Sequence, residues 1–106
     1  MKVRYTIDAL LHIASIHDYI NKRNPVAATR IASRIRAAAE RLGESPRIGR
    51  AGAAPGTREW VVSGLPYIIV HELNVPADEI VILGVYHGAQ LRPGQTDLNS
   101  DEADER

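Results

Sequence analysis

The spacing of apolar positions along this chain changes several times, and each change predicts an element. Lys2 to Thr6 reads as a short first strand. From Asp8 the apolar residues recur at Ala9, Ile13, Ile16 and Ile20, a helical spacing that Leu10 and Leu11 widen into a stripe. Asp8 is the expected N-cap, and the helix is expected to stop near Asn21–Arg23. Asn24-Pro25 predicts a restart, with Asn as cap and Pro in the first turn. Ala28, Ile31, Ile35, Ala38 and Leu42 then share one face, and Gly43 is the expected stop. The short gap between the two periodic segments predicts an antiparallel helix hairpin. Ala27, Ala28, Ala32 and Ala37 to Ala39 are small enough to let the helices approach closely.

Residues 43–56 hold four Gly and two Pro and read as a loop. Three strand-like runs follow. In the first, Trp60 and Val62 alternate with Val61 and Ser63; Gly64-Leu65-Pro66 then makes a turn. In the second, Tyr67, Ile69 and His71 share one face, and Ile68 and Val70 the other. After a turn at Asn74 to Asp78, Ile80 to Tyr86 is almost continuously apolar, which predicts a central strand covered on both faces. The predicted class is α+β: an N-terminal strand, an antiparallel helix hairpin, then a three-stranded antiparallel meander, with the helices packed on one face of the sheet. The first strand is expected beside the last.

A chain of 106 residues makes one domain, expected over residues 1–96. The net charge of zero hides an asymmetry. Residues 97–106 carry Asp97, Asp101, Glu102, Asp104 and Glu105 against Arg106 alone, leaving 12 Lys/Arg against 8 Asp/Glu in residues 1–96. The tail is therefore acidic and expected to be disordered, while the body is basic. It reads as a solubilising end or, alternatively, as a screen over a basic surface of the same chain. The lack of Cys excludes disulfides, thiolate metal sites and Cys nucleophiles. Nothing resembles a signal peptide, no apolar run is long enough to span a membrane, and a cytoplasmic location is expected.

Three polar groups are candidates for chemistry. Arg58 and Glu59 are adjacent in a strand and so face opposite ways; Glu59 is expected to face solvent, and Arg58 suits a bidentate contact to phosphate or carboxylate. Tyr86-His87 ends the last strand, where a His serves either as an acid–base group or as a structural cap. His71 lies in the neighbouring strand, but no third ligand stands out, so neither a metal nor another cofactor is expected. Helix two carries Arg30, Arg34, Arg36 and Arg41, of which Arg30, Arg34 and Arg41 form a stripe that reads as a solvated face or as a steering surface. Arg47, Arg50 and Arg92 complete the basic set, the first two in the loop leading to Arg58. His12 and His17 flank the stripe of helix one as surface or boundary residues.

These pieces in this order resemble the RelE/ParE superfamily of bacterial toxins. The matching segments are Ile16-His17-Asp18-Tyr19-Ile20, Asn24-Pro25-Val26-Ala27-Ala28, Pro46-Arg47-Ile48-Gly49-Arg50, Gly56-Thr57-Arg58-Glu59, Pro66-Tyr67-Ile68-Ile69-Val70 and Val85-Tyr86-His87-Gly88-Ala89, spanning residues 3–93. The resemblance implies the toxin of a type II toxin–antitoxin pair, blocked by a cognate antitoxin and touching operator DNA only through it, with no role for a membrane. RelE-like members cleave mRNA on the ribosome; ParE-like members bind DNA gyrase and poison it. The Arg or Lys that RelE-type nucleases tend to carry at the start of the middle strand is replaced by Tyr67, Lys2 and Lys22 are the sole lysines, and Gln90 stands where related segments carry Arg. The wording Pro66-Tyr67-Ile68-Ile69-Val70 is closer to the ParE branch, so gyrase is the expected target. Under the nuclease alternative, Arg58 would hold the phosphate and His87 would act as acid or base, with Arg47, Arg50, Tyr86 and Arg92 in support. A third possibility is a decayed toxin kept as a binding partner.

Overall fold

The computed structural model describes residues 1–95; the tail 97–106 lies outside them. The elements in chain order are β1 (Lys2–Tyr5), α1 (Ile7–Asn21), α2 (Pro25–Glu44), β2 (Arg50–Ala51), β3 (Arg58–Val61), β4 (Tyr67–Asn74) and β5 (Glu79–His87). The strands form one sheet in the order β1-β5-β4-β3-β2. β1 runs parallel to β5, and the remaining pairs are antiparallel. The expected hairpin, meander and placement of the first strand are all present, with β2 added at one edge.

The core lies between the helices and one face of the sheet. Ala9 and Ile13 of α1 and Ile35, Ala39 and Leu42 of α2 are buried against Ile69, Ile80, Ile82 and Val85. Val70 and Val81, on the other face, are 1% and 3% exposed, so β5 and its neighbour are covered on both sides as the apolar run predicts. A register shift aids this packing. Val70 pairs with Gly84 and His71 with Ile82, leaving Leu83 unopposed; that bulge lets Ile80, Ile82 and Val85 all reach the helix side.

The helix ends differ from the sequence expectation in two places. The N-cap of α1 is Thr6, whose side chain accepts from the Ala9 N–H at 3.1 Å, and Asp8 lies in the first turn. The Thr6 hydroxyl also donates to the Ile82 carbonyl at 2.9 Å, so the same residue ends β1 and opens the helix. α2 passes through Gly43 and is capped at Ser45. Gly43 has a different reason to be Gly: a Cβ there would lie 2.6 Å from the Met1 carbonyl oxygen. Its own carbonyl accepts from the Met1 nitrogen at 2.9 Å, which ties the start of β1 to the end of α2. Leu10 and Leu11 also depart from expectation, at 43% and 60% exposed.

β1 stops at Tyr5, opposite Ile82, while β5 continues to His87. The uncovered edge of β5 is closed by α1. Thr6 N–H donates to the Ile82 carbonyl at 3.1 Å, and the Val85 N–H donates to His12 Nδ1 at 3.1 Å. The Tyr86 ring packs edge-on against the His12 imidazole, 4.9 Å between centroids. Gly84 makes room for both, since a Cβ there would lie 2.7 Å from the Tyr86 ring and 2.9 Å from His12 Nδ1.

Replacing His12 with Leu therefore strips the acceptor from the Val85 N–H. The expected cost is about 1–3 kcal/mol in chemical denaturation, together with faster hydrogen exchange at Val85. Unchanged Val85 exchange would show that the imidazole does not hold this edge.

Candidate functional site

The sequence candidates fall into three separate places. The first is the clasp around Arg58. Its register partner on β4 is His71, on the face shared with the helices. The Arg58 Nη2 donates to the carbonyls of Arg47 and Gly49, at 2.6 and 3.2 Å, and so pins the loop between α2 and β2. Gly49 sits at φ 93°, where a Cβ would collide with the Glu59 carbonyl oxygen, so the turn that offers these carbonyls requires Gly. Arg58 Nε is buried without a hydrogen-bond partner. His71 is fully buried, and neither ring nitrogen has a well-formed hydrogen bond. Burial holds its pKa below the ordinary 6.5, and the nearby Arg58 charge lowers it further.

The second place is the opposite face of β3. Glu59 was expected to face solvent but is 4% exposed. The cause is the segment after β5, which returns across this face. Gly88 N–H donates to the Pro66 carbonyl at 2.8 Å, and Gly94 lies against the backbone of Ala53 and Ala54. Between those points Arg92 turns inward, and its Nε donates to Glu59 Oε1 at 3.1 Å. Arg50, opposite Glu59 on β2, reaches the same oxygen at 3.2 Å. Two of the expected supporting cations are thus engaged by one carboxylate.

The third place is the end of β5. His87 pairs with Tyr67, with 5.8 Å between their ring centroids in an edge-to-face arrangement. Its Nδ1 accepts from the Ala89 N–H at 3.1 Å, and its backbone N–H donates to Gln90 Oε1 at 2.5 Å. With Nδ1 used as an acceptor, Nε2 is the ring nitrogen left without an intramolecular partner among the described residues. It borders a cleft of about 410 Å³ with Tyr19, Tyr67, Ser15, Ile16 and Gln90. Burial and the neighbouring Tyr19 raise the Tyr67 pKa, while burial and Asp8 raise that of Tyr86, so both phenols stay neutral at physiological pH. None of the residues lining this cleft is Arg or Lys.

The fold does not bring Arg58 and His87 together. Their partners on β4, His71 and Tyr67, are four residues apart, roughly 13 Å along the strand. Arg47, Arg50 and Arg92 also lie at the Arg58 end, through the loop and β3, while Tyr86 accompanies His87 but packs on His12. His12 and Glu59 matter more than their sequence context suggests. An apolar strand carrying one acid, and a His one helical turn from the Thr-Ile-Asp helix start, are the only signals that pointed to them.

Comparison with known proteins agrees with this architecture. Residues 3–92 match the family described as the ParE toxin of the type II toxin–antitoxin system parDE. The chain is 38% identical over 92 residues to the putative toxin Y4kP of Sinorhizobium fredii, covering 87% of this chain and 93% of that protein. It is 40% identical over 91 residues to toxin RelE2 of Caulobacter vibrioides, covering 85% and 98% respectively. A solved structure of a chromosomal ParDE toxin–antitoxin system from P. aeruginosa shares the fold, with a TM-score of 0.74 and 21% identity over 82% of this chain and 95% of that one.

Two outcomes are expected of these buried groups. Glu59→Ala leaves the Arg92 guanidinium buried without its anion and should cost about 3–5 kcal/mol in urea unfolding. Replacing Glu59 with Leu and Arg92 with Met together should recover most of that loss. The depressed pKa of His71 means that the unfolded chain takes up a proton first as the pH falls through 6.5. Its contribution to stability is complete above that pH and is lost progressively below it. The urea midpoint of the native chain should accordingly drop more between pH 7.5 and pH 5 than that of His71→Leu; equal drops would remove His71 as the cause.

Proposed function

The chain belongs to the ParE toxin family of type II toxin–antitoxin systems, and on that footing we propose that it arrests growth by binding and poisoning DNA gyrase, with a cognate antitoxin holding it inactive. The observation that carries this reading is the dispersal of the catalytic candidates. A nuclease has to place a proton-transfer group and a cation on the same scissile phosphate. Here the exposed imidazole of His87 lies in a cleft lined by no Arg or Lys. Arg58 itself donates to backbone carbonyls, and Arg92 and Arg50 reach Glu59. A protein that acts by surface contact has no need of that convergence.

The antitoxin surface in this reading is the outer face of α1. Ile7, Leu10 and Leu11 are 75%, 43% and 60% exposed along its first two turns, an apolar strip that suits a helix or extended segment laid beside it. One observation favours the alternative of a RelE-like, ribosome-dependent endoribonuclease: His87 is exposed, held by its turn, and presents Nε2 at the mouth of a cleft walled by two tyrosines. In that case the phosphate cation would come from outside the cleft, after rearrangement or from the ribosome.

Controlled expression in cells, scoring DNA-damage induction and bulk translation side by side, separates the two. The gyrase reading expects DNA-damage induction while translation is still intact, and accumulation of cleaved DNA when the purified protein is added to gyrase and plasmid. It also expects His87→Ala to stay toxic. Immediate loss of translation with cleaved messages, abolished by His87→Ala in a protein that still folds, would replace it with the nuclease.

A further inference from the structure

The free edge of β3 carries a furrow that none of the assignments above uses. β2 pairs only with Arg58 and Glu59, so among the described residues no strand covers Trp60 and Val61 on that side. Two adjoining clefts, of about 190 and 240 Å³, meet at Trp60. One opens toward Arg50 and Val61. The other runs along α2 over Ala37 and Ala38, and its rim is Arg34 and Arg41. The Arg41 guanidinium lies 5.9 Å from the centroid of the Trp60 ring, and Arg34 donates to the Ser63 carbonyl. The Arg50 side chain is 62% exposed, and the carboxylate it touches, Glu59, is already paired with the buried Arg92. The furrow therefore has an apolar floor, a strand edge and a rim with surplus positive charge. Its fitting occupant is an extended peptide rich in carboxylates, with its backbone along the strand and its acids on the guanidinium groups.

We infer that this occupant is the chain's own acidic segment, residues 97–106. Charge and position both favour it. The segment holds five carboxylates against one Arg. It begins just past Gly94, which lies against Ala53 and Ala54 in the turn joining β2 and β3, and Arg92 anchors that approach. Trp60 is two residues beyond Arg58 on β3, so the distance from that turn along the strand is on the order of 10 Å; rounding the open strand edge from the Glu59 face to the helix side still lies within the reach of ten extended residues at about 3.3 Å each. Covalent attachment raises the local concentration of the segment to about the millimolar range, enough for weak charge pairs to fill the furrow. Any acidic, extended partner that uses the same edge must then displace the tail, and its apparent affinity falls by the fraction of time the furrow is occupied.

Trp60 is the single Trp of the chain and floors the furrow, so its fluorescence reports the occupant directly. The test compares acrylamide quenching of the full chain with that of a variant carrying Asp97→Asn, Asp101→Asn, Glu102→Gln, Asp104→Asn and Glu105→Gln. A third sample is the chain ending at Thr96, and circular dichroism controls for folding in all three. Quenching should rise about twofold in the neutralised and shortened chains, and in the full chain at about 0.5 M salt, where exposed charge pairs are screened. A synthetic peptide of residues 97–106 added to the shortened chain at low salt should restore the protection. Equal quenching in all three proteins, protection that survives high salt unchanged, or peptide binding that leaves Trp60 unaffected would each overturn the inference.

Discussion

The enclosure of β5 is the constraint on which the rest of this molecule depends. Its apolar run is too continuous to leave either face or either edge in water, and each side is closed by a different device. β4 pairs along its full length on one edge, and β1 pairs along half of the other. Where β1 ends, Thr6 and His12 supply the missing partners from the helix layer. This requirement places α1 against the edge of the sheet as well as over its face. The same placement makes Thr6 the cap in preference to Asp8, because only Thr6 serves the helix and the strand together.

The charges of the body follow a comparable logic. A surplus of Arg in the sequence suggests a phosphate site, yet Arg58 and Arg92, on the two faces of β3, are absorbed by the fold. Arg58 closes a loop by its carbonyls, Arg92 and Arg50 share the Glu59 carboxylate, and Arg34 and Arg41 lie along α2 against β3 and Trp60. Guanidinium groups suit such work because the planar fork donates in several directions and keeps its charge at any physiological pH. Buried pairs of this kind add little net stability over apolar packing, but losing one partner is costly. They therefore fix where the segment after β5 lies more than they strengthen the fold.

Much of the architecture was legible because it rests on local signals. Asn24-Pro25 sets the start of α2, the spacing of Ala9, Ile13 and Ile16 sets the buried stripe of α1, and the run from Ile80 announces a central strand. Three of the departures involve partners distant in sequence or a strand too short to show a pattern. Glu59 looks solvent-facing until Arg92, 33 residues later, folds over it. Gly43 looks like a helix stop until the first residue of the chain packs on it. β2 is two residues long and exists only as the partner of β3, so no periodicity could reveal it. For the candidate site, strand alternation correctly set Arg58 and Glu59 on opposite faces. The separation of Arg58 from His87 depends on register, which composition and spacing do not encode.

The parallel pairing of β1 with β5 joins Lys2 to Glu79, so the first strand to be synthesised waits for the last. A growing chain on the ribosome can form its helix hairpin early, because those contacts are local. Its first strand has no partner in the sheet until the residues of β5 have emerged. An interrupted translation product ending before β5 thus lacks both the cleft at His87 and the edge that α1 seals. For a member of a toxin family, this topology ties the finished shape to completion of synthesis and leaves shortened fragments unable to assume it.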